Sequence, residues 1–239
     1  MKIFANFSVF LLLLSSSRNL AFGRDDDAKT YLVQFANKED IAVEETRSIS
    51  TTRIIHEYKY GNLVKMSLNS EEIREYMKRR DVVHIEEDVQ VKLPPVIRSK
   101  KNEDPSLIND EVPYGIDMVE ALLVDDQHVS EIKVCICDTG YDDTHTDLPS
   151  GINVIGKTFV GRPWNDDVNG HGTHVAGTIA ALQNNRGVLG VVRNGNMKLL
   201  IARVLDDYGG GSFAGVLEGV EWCAAHGGFQ TPNGSGGQW

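Results

Sequence analysis

A chain of 239 residues with 41% hydrophobic and 24% charged residues can bury a core, in one or two domains of ordinary globular composition. A net charge of −10 argues against a nucleic-acid polyanion as the main partner, and three cysteines are too few for a disulfide scaffold. Disordered, fibrous, disulfide-rich and multi-span membrane classes are excluded on these grounds.

Residues Met1 to Gly23 begin with Lys2, continue through the apolar run from Val9 to Leu14, turn polar at Ser15-Ser16-Ser17, and end on Ala21-Phe22-Gly23. A basic start, a short apolar stretch and small residues before the end read as a secretory signal peptide, so the mature protein is expected to be secreted. The apolar run is too short to span a bilayer, Arg18 interrupts it, and no later stretch is long enough. No membrane association is expected.

Charge divides the remainder. Residues 24–101 hold 15 basic and 15 acidic side chains, whereas residues 102–239 hold 7 and 19. Such a shift marks a domain change. We read residues 28–92 as a first module in the order strand, helix, strand, strand, helix, strand. Tyr31–Phe35 is a strand and Glu39–Thr46 a short helix. Arg53–Tyr60 and Leu63–Leu68 flank Gly61-Asn62, a two-residue hairpin signal because both residues accept positive φ. Asn69 stands three positions before Glu72, the spacing of a capping box for a helix over Ser70–Arg80. Val82–Glu86 and Val89–Val91 supply a last strand. This is the order of a small ferredoxin-like α+β module.

Residues 93–111, with Pro94-Pro95 and Arg98-Ser99-Lys100-Lys101, read as an exposed linker in which Lys100-Lys101 is a possible processing site. Beyond it the pattern is α/β. Ile132–Cys137 is apolar except for Lys133, as in a strand covered on both faces, and Leu199–Leu205 is a second buried strand. His171–Leu182 suits a helix. Ser212–Ala225 suits another, with Ser212 as N-cap and Phe213, Val216, Leu217, Val220, Cys223 and Ala224 on one face. Cys135 and Cys137 lie on one face of their strand and are not expected to bridge each other. With Cys223 they read as buried small hydrophobes.

Two segments carry chemistry. Cys137-Asp138-Thr139-Gly140 lies at the carboxyl end of an apolar strand, the edge of an α/β sheet where ligands and catalytic side chains gather. Asn169-Gly170-His171-Gly172-Thr173-His174-Val175-Ala176-Gly177-Thr178 opens a helix whose small residues permit close packing, with His171 in the first turn, a position that suits a general base. His171 and His174, with Asp138, His145 and Asp147, form an alternative zinc reading. The His-Glu-x-x-His pattern of a hydrolytic zinc helix is absent, and His174 reads as a packed or supporting residue.

Asp-Thr-Gly followed 33 positions later by His-Gly-Thr-His-Val-Ala-Gly resembles the subtilisin-like serine peptidases, the subtilase family. Val112-Pro113-Tyr114-Gly115-Ile116 resembles the start of their catalytic domain, and residues 28–92, ending in Glu86-Glu87-Asp88-Val89, resemble their inhibitory propeptide. The resemblance implies an N-terminal half of a three-layer, parallel-sheet α/β domain over residues 112–239. It implies peptide-bond hydrolysis through an acyl-enzyme without an organic cofactor, protein or peptide substrates, and intramolecular inhibition by the propeptide. Asp138 would orient His171, and His171 would serve as general base. Asp147, Leu182, Asn184, Arg186 and Val188 would hold a structural calcium ion. Gly209, Gly211 and Phe213 would form the substrate-cleft edge, the glycines admitting a peptide strand and Phe213 walling a side-chain pocket. Asp206 and Asp207 could favour basic side chains.

The sequence departs from the family pattern in one respect. It runs 68 residues past His171 and contains neither Gly-Thr-Ser-Met-Ala around a nucleophilic serine nor the oxyanion asparagine. The last residues, Gly227–Trp239, hold five glycines where a buried strand is expected. A C-terminally truncated peptidase, inactive by itself, is the expectation. The alternative is a non-catalytic protein that inhibits a partner protease through residues 28–92.

Overall fold

The computed structural model describes residues 28–47, 53–94 and 109–227. The expected signal peptide, Lys100-Lys101, most of the linker and the Gly-rich tail after Gly227 lie outside the described residues.

The first module contains β1 (Lys29–Phe35), α1 (Lys38–Arg47), β2 (Arg53–Glu57), β3 (Leu63–Leu68), α2 (Ser70–Tyr76) and β4 (Val82–Glu87). Its strands form one antiparallel sheet in the order β2-β3-β1-β4. Alternation along β1 determines what each face covers. Tyr31, Val33 and Phe35 enter a core with Val64, Met66, Leu68 and, from the helices, Ile41, Ile73 and Tyr76. The Asn69–Glu72 capping box forms as expected. The Glu72 N–H donates to Asn69 Oδ1 at 2.9 Å, and the Asn69 N–H donates to Glu72 Oε2 at 2.7 Å.

Three details of this module differ from expectation. Gly61 and Asn62 do take positive φ, of 84° and 50°, but β2 stops at Glu57 and the Tyr58 N–H closes on the Leu63 carbonyl. The hairpin loop is therefore longer than two residues. Helix α2 ends at Tyr76, four residues early. The segment after β4 is not a continuation of that strand: β5 (Gln90–Lys92) leaves the sheet and pairs elsewhere.

The second module contains α3 (Tyr114–Met118), β6 (Lys133–Asp138), β7 (Val154–Thr158), α4 (His171–Ala180), β8 (Lys198–Arg203), β9 (Gly210–Ser212) and α5 (Phe213–Gly227). Strands β6, β8 and β7 form a parallel sheet in that order, with Asp138 and Thr158 both level with Arg203. One face packs Ile136, Leu199 and Ile201 against Ala176 and Ala180 of α4. The residues between them, Cys135, Cys137 and Ala202, pack with Val216 and Cys223 of α5. The sheet thus lies between two helices, the layering of an α/β unit. The Ser212 hydroxyl caps α5 by accepting the Gly215 N–H at 3.0 Å.

The cysteines correct the sequence reading. Cys135 and Cys223 form a disulfide across 88 residues, and Cys137 remains a thiol with its sulfur 3.6 Å from Cys223 Sγ. Periodicity places Cys135 and Cys137 on one face. Only the docking of α5 brings the third sulfur to them.

The two ends of the segment read as a linker, residues 93–111, carry backbone hydrogen bonds. At one end the Leu93 N–H donates to the Gly209 carbonyl, and at the other Glu111 bonds both Gly187 and Leu189, so both ends pack on the second module.

Candidate active site

Asp138 is the last residue of β6 and is 7% exposed. Its Oδ1 accepts the Thr139 N–H at 2.7 Å, and its two oxygens lie 2.8 and 2.9 Å from His171 Nδ1. His171 is the first residue of α4. The close approach depends on Gly172, where a Cβ would stand 2.2 Å from the Gly140 carbonyl oxygen and 3.2 Å from Asp138 Cβ. A carboxylate facing Nδ1 on both oxygens draws the proton of the neutral ring to that nitrogen and leaves Nε2 as the basic one.

The other histidines are not part of this constellation. His174 is exposed on α4, not packed, and exposed His145 uses Nδ1 to accept the Asp147 N–H at 3.2 Å. Among the described residues the only group of three His, Cys, Asp or Glu side chains close enough to share a metal ion is Cys135, Cys137 and Cys223, so the zinc set is not assembled.

Beyond β8, β9 pairs antiparallel with β5, with Gln90 opposite Ser212, Val91 opposite Gly211 and Lys92 opposite Gly210. A strand does add at this edge, and it comes from the first half of the chain. A Cβ at Gly211 would meet the Val204 carbonyl oxygen at 2.4 Å, and one at Gly209 would meet Leu93 Cβ at 3.1 Å, so both positions require glycine. Beside this ribbon lies a cavity of about 310 Å³ lined by Gln90, Phe159, Val204, Gly211, Ser212 and Glu218 among others. Phe213 is not among its lining residues. It packs with Leu32, Tyr58 and Ala214 between the two modules, because the first turn of α5 is turned toward the antiparallel sheet.

Asp206 and Asp207 are used within the fold. Asp206 Oδ1 accepts the N–H groups of Tyr208 and Gly210 at 2.9 and 2.8 Å. Asp207 pairs with Arg162 at 2.9 Å and with fully buried Arg203 at 2.5 Å. Partial burial works against the charge of Asp207, but these two guanidinium groups outweigh it and hold the carboxyl below its usual range.

The five residues assigned to calcium come together in part. Asp147 is 4% exposed, its Oδ2 accepts the Val188 N–H at 3.0 Å, and its buried Oδ1 has no hydrogen-bond partner. Burial pushes the Asp147 carboxyl above its usual range, and nearby Asp110 adds to the shift. The Leu182 N–H donates to the Asp147 carbonyl, and Asn184 Nδ2 donates to the Thr146 carbonyl at 3.2 Å. Asp110, which sequence reasoning missed, accepts the N–H groups of Asn184 and Arg186 at 3.3 and 2.8 Å. A buried, unpartnered carboxylate oxygen next to a second carboxylate and a carbonyl-bearing loop fits a hard cation. No local signal in the sequence marks Asp110, because it reaches the loop from 37 residues before Asp147. A second missed residue, Asp167, caps α4; an Asp shortly before an apolar helix is a legible sign of a cap.

Residues 129–237 match the subtilase family. Subtilisin E of Bacillus subtilis (strain 168) is 31% identical over 238 residues, 94% of this chain and 56% of that protein. Subtilisin DY of Bacillus licheniformis is 45% identical over 119 residues, 48% of this chain and 42% of that protein. Among solved structures, the psychrophilic subtilisin-like protease Apa1 from the Antarctic psychrotroph Pseudoalteromonas sp. AS-11 aligns with a TM-score of 0.46 and 36% identity, covering 51% of this chain and 28% of that one. The subtilase-family match thus covers the second half of this chain, residues 129–237. It spans about half the length of the relatives it matches.

Proposed function

We propose that the chain is a secreted serine-type endopeptidase precursor that acts on protein or peptide substrates. The observation that carries this reading is the contact of both Asp138 oxygens with His171 Nδ1, at 2.8 and 2.9 Å, at the carboxyl edge of a parallel sheet. In the Asp-His-Ser mechanism His171 Nε2 takes the proton of a serine hydroxyl as it attacks the peptide carbonyl, then gives it to the departing amine. Asp138 keeps the ring oriented and stabilises the imidazolium without being protonated. The sequence contains no serine in a Gly-Thr-Ser-Met-Ala setting, so the 239-residue polypeptide by itself is expected to be inactive.

Residues 1–23 act in this reading as a signal peptide and residues 28–92 as a ferredoxin-like inhibitory propeptide. The pairing of β5 with β9 and the Leu93–Gly209 hydrogen bond support the inhibitory role, because a peptide substrate adding at that edge would compete with β5. The same observation favours a second reading, a non-catalytic inhibitor acting through the propeptide-like module. No helix among the described residues is long and apolar enough to cross a membrane. Asp147 and Asn184, with the carbonyls of Leu182, Arg186 and Val188 and with Asp110 nearby, would hold a structural calcium ion. Its charge would neutralise the buried Asp147 carboxylate.

Sequencing the transcript past the Trp239 codon tests the reading. An in-frame or alternatively spliced continuation encoding Gly-Thr-Ser-Met-Ala is expected, and a stop with a stable transcript would favour the inhibitor. Peptide hydrolysis by the purified 239-residue chain, abolished by serine-directed inhibitors, would refute its inactivity.

A further inference from the structure

The two residues of the Asp138–His171 pair stand on different elements, 33 positions apart, and a partly buried hydrogen-bond clamp centred on Asp167 joins those elements. Helix α4 opens on Gly170, which has no side chain to cap it, so the free N–H groups of its first turn need acceptors from elsewhere. Asp167 supplies two of them, while Asn169 Oδ1 accepts the His171 N–H at 3.3 Å. Asp167 Oδ1 accepts the Gly170 N–H at 3.0 Å, and its Oδ2 accepts the Thr173 N–H at 2.9 Å and the Thr173 hydroxyl at 2.6 Å. A carboxylate here also complements the positive end of the helix.

The fourth bond ties the helix to the strand. Asp167 Oδ1 accepts the Thr139 hydroxyl at 2.8 Å, and that hydroxyl oxygen accepts the Gly172 N–H at 3.0 Å. Thr139 is fully buried, follows Asp138 directly, and fixes the Asp138 carboxylate through its own N–H. One carboxylate therefore bonds both the first turn of α4, which opens with His171, and the residue that follows Asp138. We propose that Asp167 is a positioning residue for the Asp138–His171 pair, acting through the Thr139 hydroxyl to set the Nδ1–carboxylate contact. The inference rests on the reading of Asp138 and His171 as the acid–imidazole pair.

Asp167→Asn keeps the volume but replaces one acceptor oxygen with an NH2 donor that faces N–H groups. Thr139→Val keeps the shape and removes the hydroxyl, while Thr139→Ser restores it. The readout is the low-field proton resonance of the His171 Nδ1–H in the full 239-residue chain labelled with 15N-histidine, assigned by its loss in His171→Ala. Folding is followed in the amide spectrum. Ile179→Ala, which weakens packing on α4 away from the clamp, serves as the stability control.

The resonance is expected to vanish or move upfield in Asp167→Asn and Thr139→Val and to persist in Thr139→Ser and Ile179→Ala. Its persistence at the wild-type position in either clamp variant, folded, overturns the proposal while leaving the pair intact. Loss in Ile179→Ala as well would reduce the effect to helix stability and also overturn it. A wild-type chain without the resonance would refute the pair itself, a failure distinct from that of the clamp. Should Asp167→Asn not fold, the contrast between Thr139→Val and Thr139→Ser decides.

Discussion

At the scale of single residues, burial sets what an ionisable side chain costs the fold. Asp147 is a carboxylate inside the protein with one oxygen unsatisfied, a costly state unless a cation neutralises it. Calcium is therefore expected to raise the melting temperature of the wild-type chain, by the equivalent of about 2.7 kcal/mol at a concentration a hundred times its dissociation constant. Asp147→Asn is expected to abolish that response, which differential scanning calorimetry with calcium and with a chelator would measure. Cys137 is a second ionisable group inside the fold. Burial first, and the adjacent Asp138 second, push its thiol up to about 11. Because the thiolate is the reactive form, alkylation of Cys137 in the folded chain should be slow at pH 8 and quicken about tenfold per pH unit toward that value. Peptide mapping by mass spectrometry after alkylation would check this and should find Cys135 linked to Cys223.

At the scale of elements, the β5–β9 ribbon is where close backbone approach matters most. A methyl group at Gly211 would collide with the Val204 carbonyl beneath β9, and one at Gly209, whose φ is +73°, would collide with Leu93. Gly211→Ala and Gly209→Ala are each expected to cost about 1–3 kcal/mol and to loosen β5. Hydrogen exchange of the Leu93 amide, which donates to the Gly209 carbonyl, should accelerate in both variants, while the amides of β1 stay protected. Undiminished protection of Leu93 in both would show that the ribbon does not depend on these glycines. By contrast, the capping box of α2 is legible in the amino-acid order alone, because Asn69 and Glu72 act within one turn of chain.

At the scale of the whole molecule, the two modules meet over one face of the antiparallel sheet. Leu32, which points away from the first core, packs with Tyr58 and Ala214 and is joined by Leu63, Phe213 and Leu217. Polar contacts surround this patch. Lys65 pairs with Glu218 at 3.1 Å, His56 meets Glu221 at 3.2 Å, Tyr58 donates to the Ala214 carbonyl at 3.0 Å, and Asp88 accepts the Ala214 N–H at 2.9 Å. All of these contacts are made by residues outside the segment 95–108. Protease cleavage within that segment should leave the two pieces associated, co-eluting in size-exclusion chromatography. Tyr58→Ala together with Asp88→Ala should separate them.

The sequence by itself determined the local part of this protein: most of the helices and strands, the α4 start at His171, and the two short segments whose chemistry pointed to an Asp–His pair. Those features depend on periodicity and on residues a few positions apart. Strand β7, with a lysine and a glycine in five residues, and the short α3 carried too little periodic signal to be read. The tertiary structure alone decided which distant groups meet. It joined Cys135 to Cys223, brought Asp110 to the Asp147 loop, laid β5 on β9 instead of on the sheet that precedes it, and turned Phe213 into the contact between modules. Each of these depends on how two surfaces distant in the chain fit together, and spacing along the chain does not encode that fit. For the same reason Asp167 has the sequence signature of an ordinary helix cap, and only the fold brings Thr139, from the turn after β6, within 2.8 Å of it.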